Sequence, residues 1–117
     1  MRVQSEGQEL RLRIYEAELA ELLGGKAVEN RVHWPDGRTE IQKLRLAAAA
    51  GWSRDADGWR LQLPEAEVRA LAARLPSREG LHVTLPGAQG DSLNVLFDVD
   101  VRDSARQRHT AARGKPV

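Results

Sequence analysis

The chain contains no cysteine and a single methionine in 117 residues. Disulfide frameworks, thiolate nucleophiles and Cys-ligated zinc are therefore excluded. Aromatic residues are scarce: three Trp, one Tyr and one Phe. Neither charge sign dominates, because 18 Lys and Arg face 17 Asp and Glu for a formal net charge of +1. Long hydrophobic runs are missing as well. The longest, Leu46 to Trp52 counting Gly51, falls far short of the roughly 20 residues that span a bilayer. The opening Met1-Arg2-Val3-Gln4-Ser5-Glu6 has no apolar stretch of a secretory leader. No membrane association and a cytoplasmic location are the expectation.

What is present is ordinary for one small soluble domain: 41% hydrophobic and 30% charged residues in 13.0 kDa, enough to bury a core without staples. Charge is unevenly placed. The last sixteen residues hold Arg102, Arg106, Arg108, Arg113 and Lys115 against Asp103, whereas the first 101 carry 13 basic and 16 acidic groups. A mildly acidic folded body over 1–101 and a basic, flexible tail over 102–117 are expected. Such a tail could bind nucleic acid weakly by counterion release. A solubilising role is preferred, because no aromatic is interleaved to stack on bases.

The chain matches itself at an offset of 49. Leu10-Arg11-Leu12-Arg13-Ile14-Tyr15-Glu16-Ala17-Glu18-Leu19 lies over Trp59-Arg60-Leu61-Gln62-Leu63-Pro64-Glu65-Ala66-Glu67-Val68, and Leu22 over Leu71. In both copies apolar residues alternate with polar ones, the period of a half-buried strand, and then change to a helical spacing. Ala17, Leu19, Ala20, Leu22 and Leu23 form one helical stripe, stopped by Gly24-Gly25. Val68, Leu71, Ala72 and Leu75 form the other, opened by Pro64 and closed by Pro76. Two strand signals follow each helix. They turn at Pro35-Asp36-Gly37 and at Pro86 to Asp91. A short strand over Arg2 to Gln4 precedes Gly7. The Leu46–Trp52 stretch reads as a strand running on into a loop, which Asp55-Ala56-Asp57-Gly58 links to Trp59.

These signals predict an α+β domain with pseudo-repeats over 10–50 and 59–99. It should hold two helices and about seven strands in one mixed or mainly antiparallel sheet, able to curl toward a barrel.

If helices cover the apolar face, the other face gathers Arg11, Arg13, Arg31, His33, Arg60 and His82, with Gln62, Thr84, Asn94 and Asp98 among them. Arginine forks suit phosphate or carboxylate, and histidine can donate or move a proton. These six are the candidate anion-binding residues. The competing reading is a solvated face of cross-strand ion pairs with Glu29 and Asp98 as acids. His33 and His82 occupy equivalent repeat positions, where pseudo-symmetry could bring them together across an axis, yet two histidines make too few ligands for zinc. No metal site, cofactor or catalytic group is assigned. The serines sit in turns or termini, and no Gly-x-Ser-x-Gly elbow, GxGxxG or Walker A pattern occurs. Glu16/Glu18 and Glu65/Glu67 read as helix starts, where acids complement the dipole. Asp55/Asp57 with Gly58 read as a turn, and Asp98/Asp100, on one face of a late strand, as a cation-binding pair or as guards against strand aggregation. Trp59 reads as core. Trp34 reads as packed under its turn, with an exposed partner anchor as the alternative.

Met1-Arg2-Val3, Gly7, Leu10-Arg11-Leu12-Arg13-Ile14, Glu18-Leu19 and Gly25-Lys26-Ala27-Val28-Glu29 resemble a family of small, uncharacterised bacterial proteins over the N-terminal third. The resemblance implies a bacterial protein and brings no activity or site residue with it. The first strand departs from that pattern at Gln4-Ser5-Glu6. The duplicated layout is also similar to the triphosphate-tunnel fold in architecture. The paired carboxylates that hold metal in those enzymes are missing from the first strands here, which counts against that chemistry. The reading that results is a non-enzymatic interaction or ligand-binding protein, its partner an unidentified protein or small anion. An anion-binding enzyme or sensor using the Arg/His face is one alternative. A structural protein forming a homodimer through a sheet edge is the other.

Overall fold

The computed structural model describes residues 1–101. The flexible-tail and nucleic-acid readings lie outside the described residues. Ten elements follow in order: β1 (Arg2–Glu6), β2 (Glu9–Tyr15), α1 (Glu16–Leu23), β3 (Val28–His33), β4 (Thr39–Ala47), β5 (Gly51–Asp55), β6 (Gly58–Pro64), α2 (Glu65–Ala73), β7 (Leu81–Leu85) and β8 (Leu93–Asp100). The class is α+β, as expected.

The strands form two four-stranded mixed sheets, ordered β1-β2-β8-β7 and β3-β4-β6-β5. Each has a parallel pair at its centre, β2 with β8 and β4 with β6, flanked by antiparallel hairpins. This corrects the expectation of one seven-stranded sheet. The eighth strand is β5. Ala48-Ala49-Ala50 interrupt the run after β4, and a two-residue turn at Ala56-Asp57 folds β5 back onto β6. The Asp55 carboxylate fixes that turn by accepting the Asp57 N–H at 3.1 Å. Nor is there a closed barrel: β1, β7, β3 and β5 all remain sheet edges.

The alternation of β2 and β6 explains the core. Leu10, Leu12 and Ile14 point inward, as do Trp59, Leu61 and Leu63. They join Val95, Phe97 and Val99 of β8, Leu44 of β4, and Leu19, Leu22, Val68 and Leu71 of the helices in a single cluster. Each fully buried large side chain contributes roughly 1.5–3 kcal/mol. No charged or polar residue is among the buried ones described. At the start of α1, the Tyr15 N–H donates to Glu18 Oε1 at 3.0 Å, occupying one of the helix's unpaired donors. The other Glu18 oxygen takes the N-terminal ammonium at 2.6 Å.

Candidate functional site

The six sequence candidates do not share one groove. Arg11, Arg13 and His82 lie on the outer face of the β1-β2-β8-β7 sheet; Arg31, His33 and Arg60 lie on the other sheet. On the first, Arg13 stands opposite Asp98 in register. Its Nε donates to Asp98 Oδ1 at 3.0 Å and its Nη2 to Oδ2 at 3.3 Å. Arg11 Nη2 reaches the same Oδ2 at 3.1 Å. One carboxylate thus engages both arginines. His82 lies across the outward Leu96 from Arg11.

On the second sheet, Arg31 makes a fork onto Glu29 Oε2 at 3.0 and 3.1 Å. Arg60 Nε and Lys43 Nζ approach Asp55 Oδ2 at 3.7 and 3.4 Å. His33 Nδ1 lies 3.0 Å from Thr39 Oγ1. His33 and His82 sit on edge strands of different sheets. Among the described residues, no three His, Asp or Glu gather to hold a metal ion.

Partial burial acts to raise the Asp98 carboxyl, but hydrogen bonds and charge from Arg13 and Arg11 outweigh it and bring it below the usual 3.8. Asp55 is displaced the same way. Desolvation acts upward there, and the Asp57 N–H, Lys43 and the Gly58 N–H outweigh it. A depressed carboxylate contributes stability that is complete above its unfolded value and is lost as pH falls through the folded one. Asp98→Asn should therefore lower stability by about 1 kcal/mol at pH 7. Its melting temperature should converge with that of the parent protein as the pH drops below 3.8. Thermal melts of both proteins from pH 7 to pH 2 measure this, and a gap that stays constant across the range would refute it.

A different constellation is open to a partner. Of the five aromatic residues, three are exposed: Tyr15 at 52%, Trp34 at 49% and Trp52 at 40%. The expectation that Trp34 packs under its turn is thereby corrected. β3 ends at His33, and the Pro35-Asp36-Gly37 turn closes on the Trp34 backbone, whose carbonyl accepts the Gly37 N–H at 3.0 Å, while the indole stays exposed. Trp52 belongs to β5, an edge strand. It lines a largely apolar cleft of about 600 Å³ with Ala50, Leu85, Pro86 and Leu93, between the start of β5 and the β7–β8 turn. Volumes of this size are usual for recognition pockets. Next to it, Arg54 sets its guanidinium 5.1 Å from the Trp52 ring centroid, within cation–π range. Arg54 also lines a second, polar cleft of about 500 Å³ with Trp34, Arg38, Glu40 and Asp57.

No protein-family model and no curated protein matches this chain.

The site therefore rests on its own chemistry. A strand edge runs between an apolar cleft and a polar one, with an indole and a guanidinium stacked along it. Sequence reading placed Trp52 in a loop and assigned it no role. The available signal was the spacing of Trp52 and Arg54, two residues apart and followed by the Asp55-Ala56-Asp57-Gly58 turn, which marks a hairpin strand with both side chains on one face.

Proposed function

We propose that this chain is a small non-enzymatic protein-interaction module, cytoplasmic, that recognises its partner through the β5 edge with Trp52 as the anchor. One observation carries this: a tryptophan 40% exposed on an unpaired strand edge, lining an apolar cleft. Exposed indole is costly to leave in water, and Trp and Arg dominate the centres of binding surfaces. The anion-site alternative has less support, since Arg11, Arg13, Arg31 and Arg60 already face carboxylates.

The reading includes an internal duplication. Two strand pairings support it: Arg2 faces Arg13 in β1–β2, and Gly51 faces Gln62 in β5–β6, each 49 residues on. Val28 faces Leu44 in β3–β4, and Leu81 faces Phe97 in β7–β8, each 53 residues on. A single change of offset from 49 to 53 between α2 and β7 thus relates both halves. In this alignment His82 answers to Glu29 instead of His33. Trp52 stands where the first half has Val3, so the anchor belongs to one half alone.

The test uses the apolar fluorophore 1-anilinonaphthalene-8-sulfonate as a probe of the cleft. The parent protein should bind it saturably, and Trp52→Ala should weaken that binding about tenfold, or about 1.4 kcal/mol, while the melting temperature stays nearly unchanged. Equal affinity in the two proteins would dismiss Trp52 as the anchor.

A further inference from the structure

We infer that the β5 edge is built to pair with the β5 edge of a second copy of this chain, antiparallel and centred on Ser53. The inference rests on the reading of β5 as the recognition edge and names its occupant. Its first support is the backbone. The hairpin turn at Ala56-Asp57 has two residues, and Asp55 faces Gly58 across it. Hydrogen-bonded and non-hydrogen-bonded pairs alternate along an antiparallel ladder. Counting from the turn, Asp55, Ser53 and Gly51 bond to β6. Trp52 and Arg54 therefore turn their N–H and C=O groups to the open side.

The second support is the side-chain pattern, which is self-complementary about Ser53. A two-fold axis through Ser53 places Trp52 opposite the second copy's Arg54, and Arg54 opposite the second copy's Trp52. These are the residues with free backbone groups, so both pairs gain reciprocal N–H to C=O bonds. Charge is complementary in this register. Each guanidinium faces an indole, which a cation favours, and Asp55 faces Gly51. No like charges stand directly opposite, the arrangement that would oppose pairing. The Arg54–Trp52 stack at 5.1 Å within one chain shows that the two side chains already meet favourably. A closed two-fold contact of this kind also uses up an edge that would otherwise template open-ended association.

The chain has no cysteine, so Ser53→Cys introduces its sole thiol. On the axis, in a non-hydrogen-bonded pair, the two Cα atoms would lie about 4.5 Å apart, within the range a disulfide needs. Mild oxidation should convert most of this variant to a disulfide-linked dimer. Gln4→Cys, at the middle of the β1 edge, should remain monomeric. Adding Arg54→Pro to Ser53→Cys removes an outward N–H and leaves the bonds to β6 intact, a change that edge strands tolerate. It should cut the cross-linking yield about tenfold. Sedimentation of the parent protein should show a concentration-dependent monomer–dimer equilibrium. A parent protein that stays monomeric at every concentration, or equal cross-linking of the two cysteine variants, would overturn the inference. If Ser53→Cys fails to cross-link while fluorophore binding still depends on Trp52, the second copy is excluded and the interaction reading survives with a foreign chain on β5. If that dependence is missing too, both readings fall.

Discussion

Phe97→Ala should destabilise the protein by about 3–5 kcal/mol, the usual loss for truncating a fully buried phenylalanine. Phe97 is the chain's sole phenylalanine and is completely buried. It sits on β8 with Leu12 of β2 on one side and Leu81 of β7 on the other. The ring thus joins the parallel centre of its sheet to the antiparallel hairpin, and its removal leaves a cavity at the middle of the core. Domains of this size lose roughly 4–8 °C of melting temperature per kcal/mol, so a fall of more than about 10 °C is expected in thermal denaturation. Leu96→Ala, one residue away on the half-exposed outer face, should cost far less. Similar losses at the two positions would show that the inward face of β8 does not carry the core.

Gly58→Ala is the second large effect, and it comes from backbone rather than from packing. Gly58 stands opposite Ile41 where β4 and β6 run parallel. A Cβ there would overlap the Ile41 carbonyl oxygen and lie 3.0 Å from the Ile41 nitrogen. Neither atom belongs to a flexible side chain, so the strands must part. The adjacent bond, Ile41 N–H to the Asp57 carbonyl at 2.8 Å, parts with them. Overpacking of this kind costs about 1–3 kcal/mol. The gain from a stiffer unfolded chain, about 0.4–1 kcal/mol, offsets it only in part. Denaturant melts should show a loss of about 2 kcal/mol, and hydrogen exchange at the Ile41 amide should accelerate. Glu9 holds the matching place in the other parallel pair, opposite Asn94 and beside an Asn94 N–H to Gln8 bond of 2.8 Å. Glu9→Ala should change stability by no more than about 0.5 kcal/mol. Undiminished stability of Gly58→Ala would refute the close approach.

Much of the fold is legible in local sequence because local sequence causes it. The alternation of Leu10, Leu12 and Ile14, and of Trp59, Leu61 and Leu63, reports a strand with one dry face, and those six side chains are buried. The helices announce themselves by their spacing and by acids in their first turns, Glu16, Glu18, Glu65 and Glu67. The division into two sheets is not legible, because it depends on which strands pair in parallel. Glu9 meets Asn94, and nothing near either residue specifies the other. β5 escapes hydrophobic patterning for a related reason: Gly51-Trp52-Ser53-Arg54-Asp55 has one apolar side chain, so only the tight turn after it marks the strand. The candidate site inherits both obstacles. Its apolar wall takes Trp52 and the preceding loop residue Ala50 from one side and Leu85 and Leu93 of the other sheet from the opposite side. The Arg and His residues that drew attention are conspicuous by type, yet Asp98, Glu29 and Asp55 meet the arginines on the surface.

The parallel pairing of β2 with β8 also has a consequence for how the chain is made. The sheet β3-β4-β6-β5 has all its strands once residue 64 has emerged from the ribosome, whereas β2 lacks its central neighbour until Asp100 has followed. Synthesis proceeds at roughly 5–20 residues per second. For a few seconds, then, Leu10, Leu12 and Ile14 wait on a hairpin with nothing on its inner edge. Pairing across so long a stretch of chain is slow to form. The nascent protein is most exposed to misassociation in that interval, and β8 is the strand that ends it.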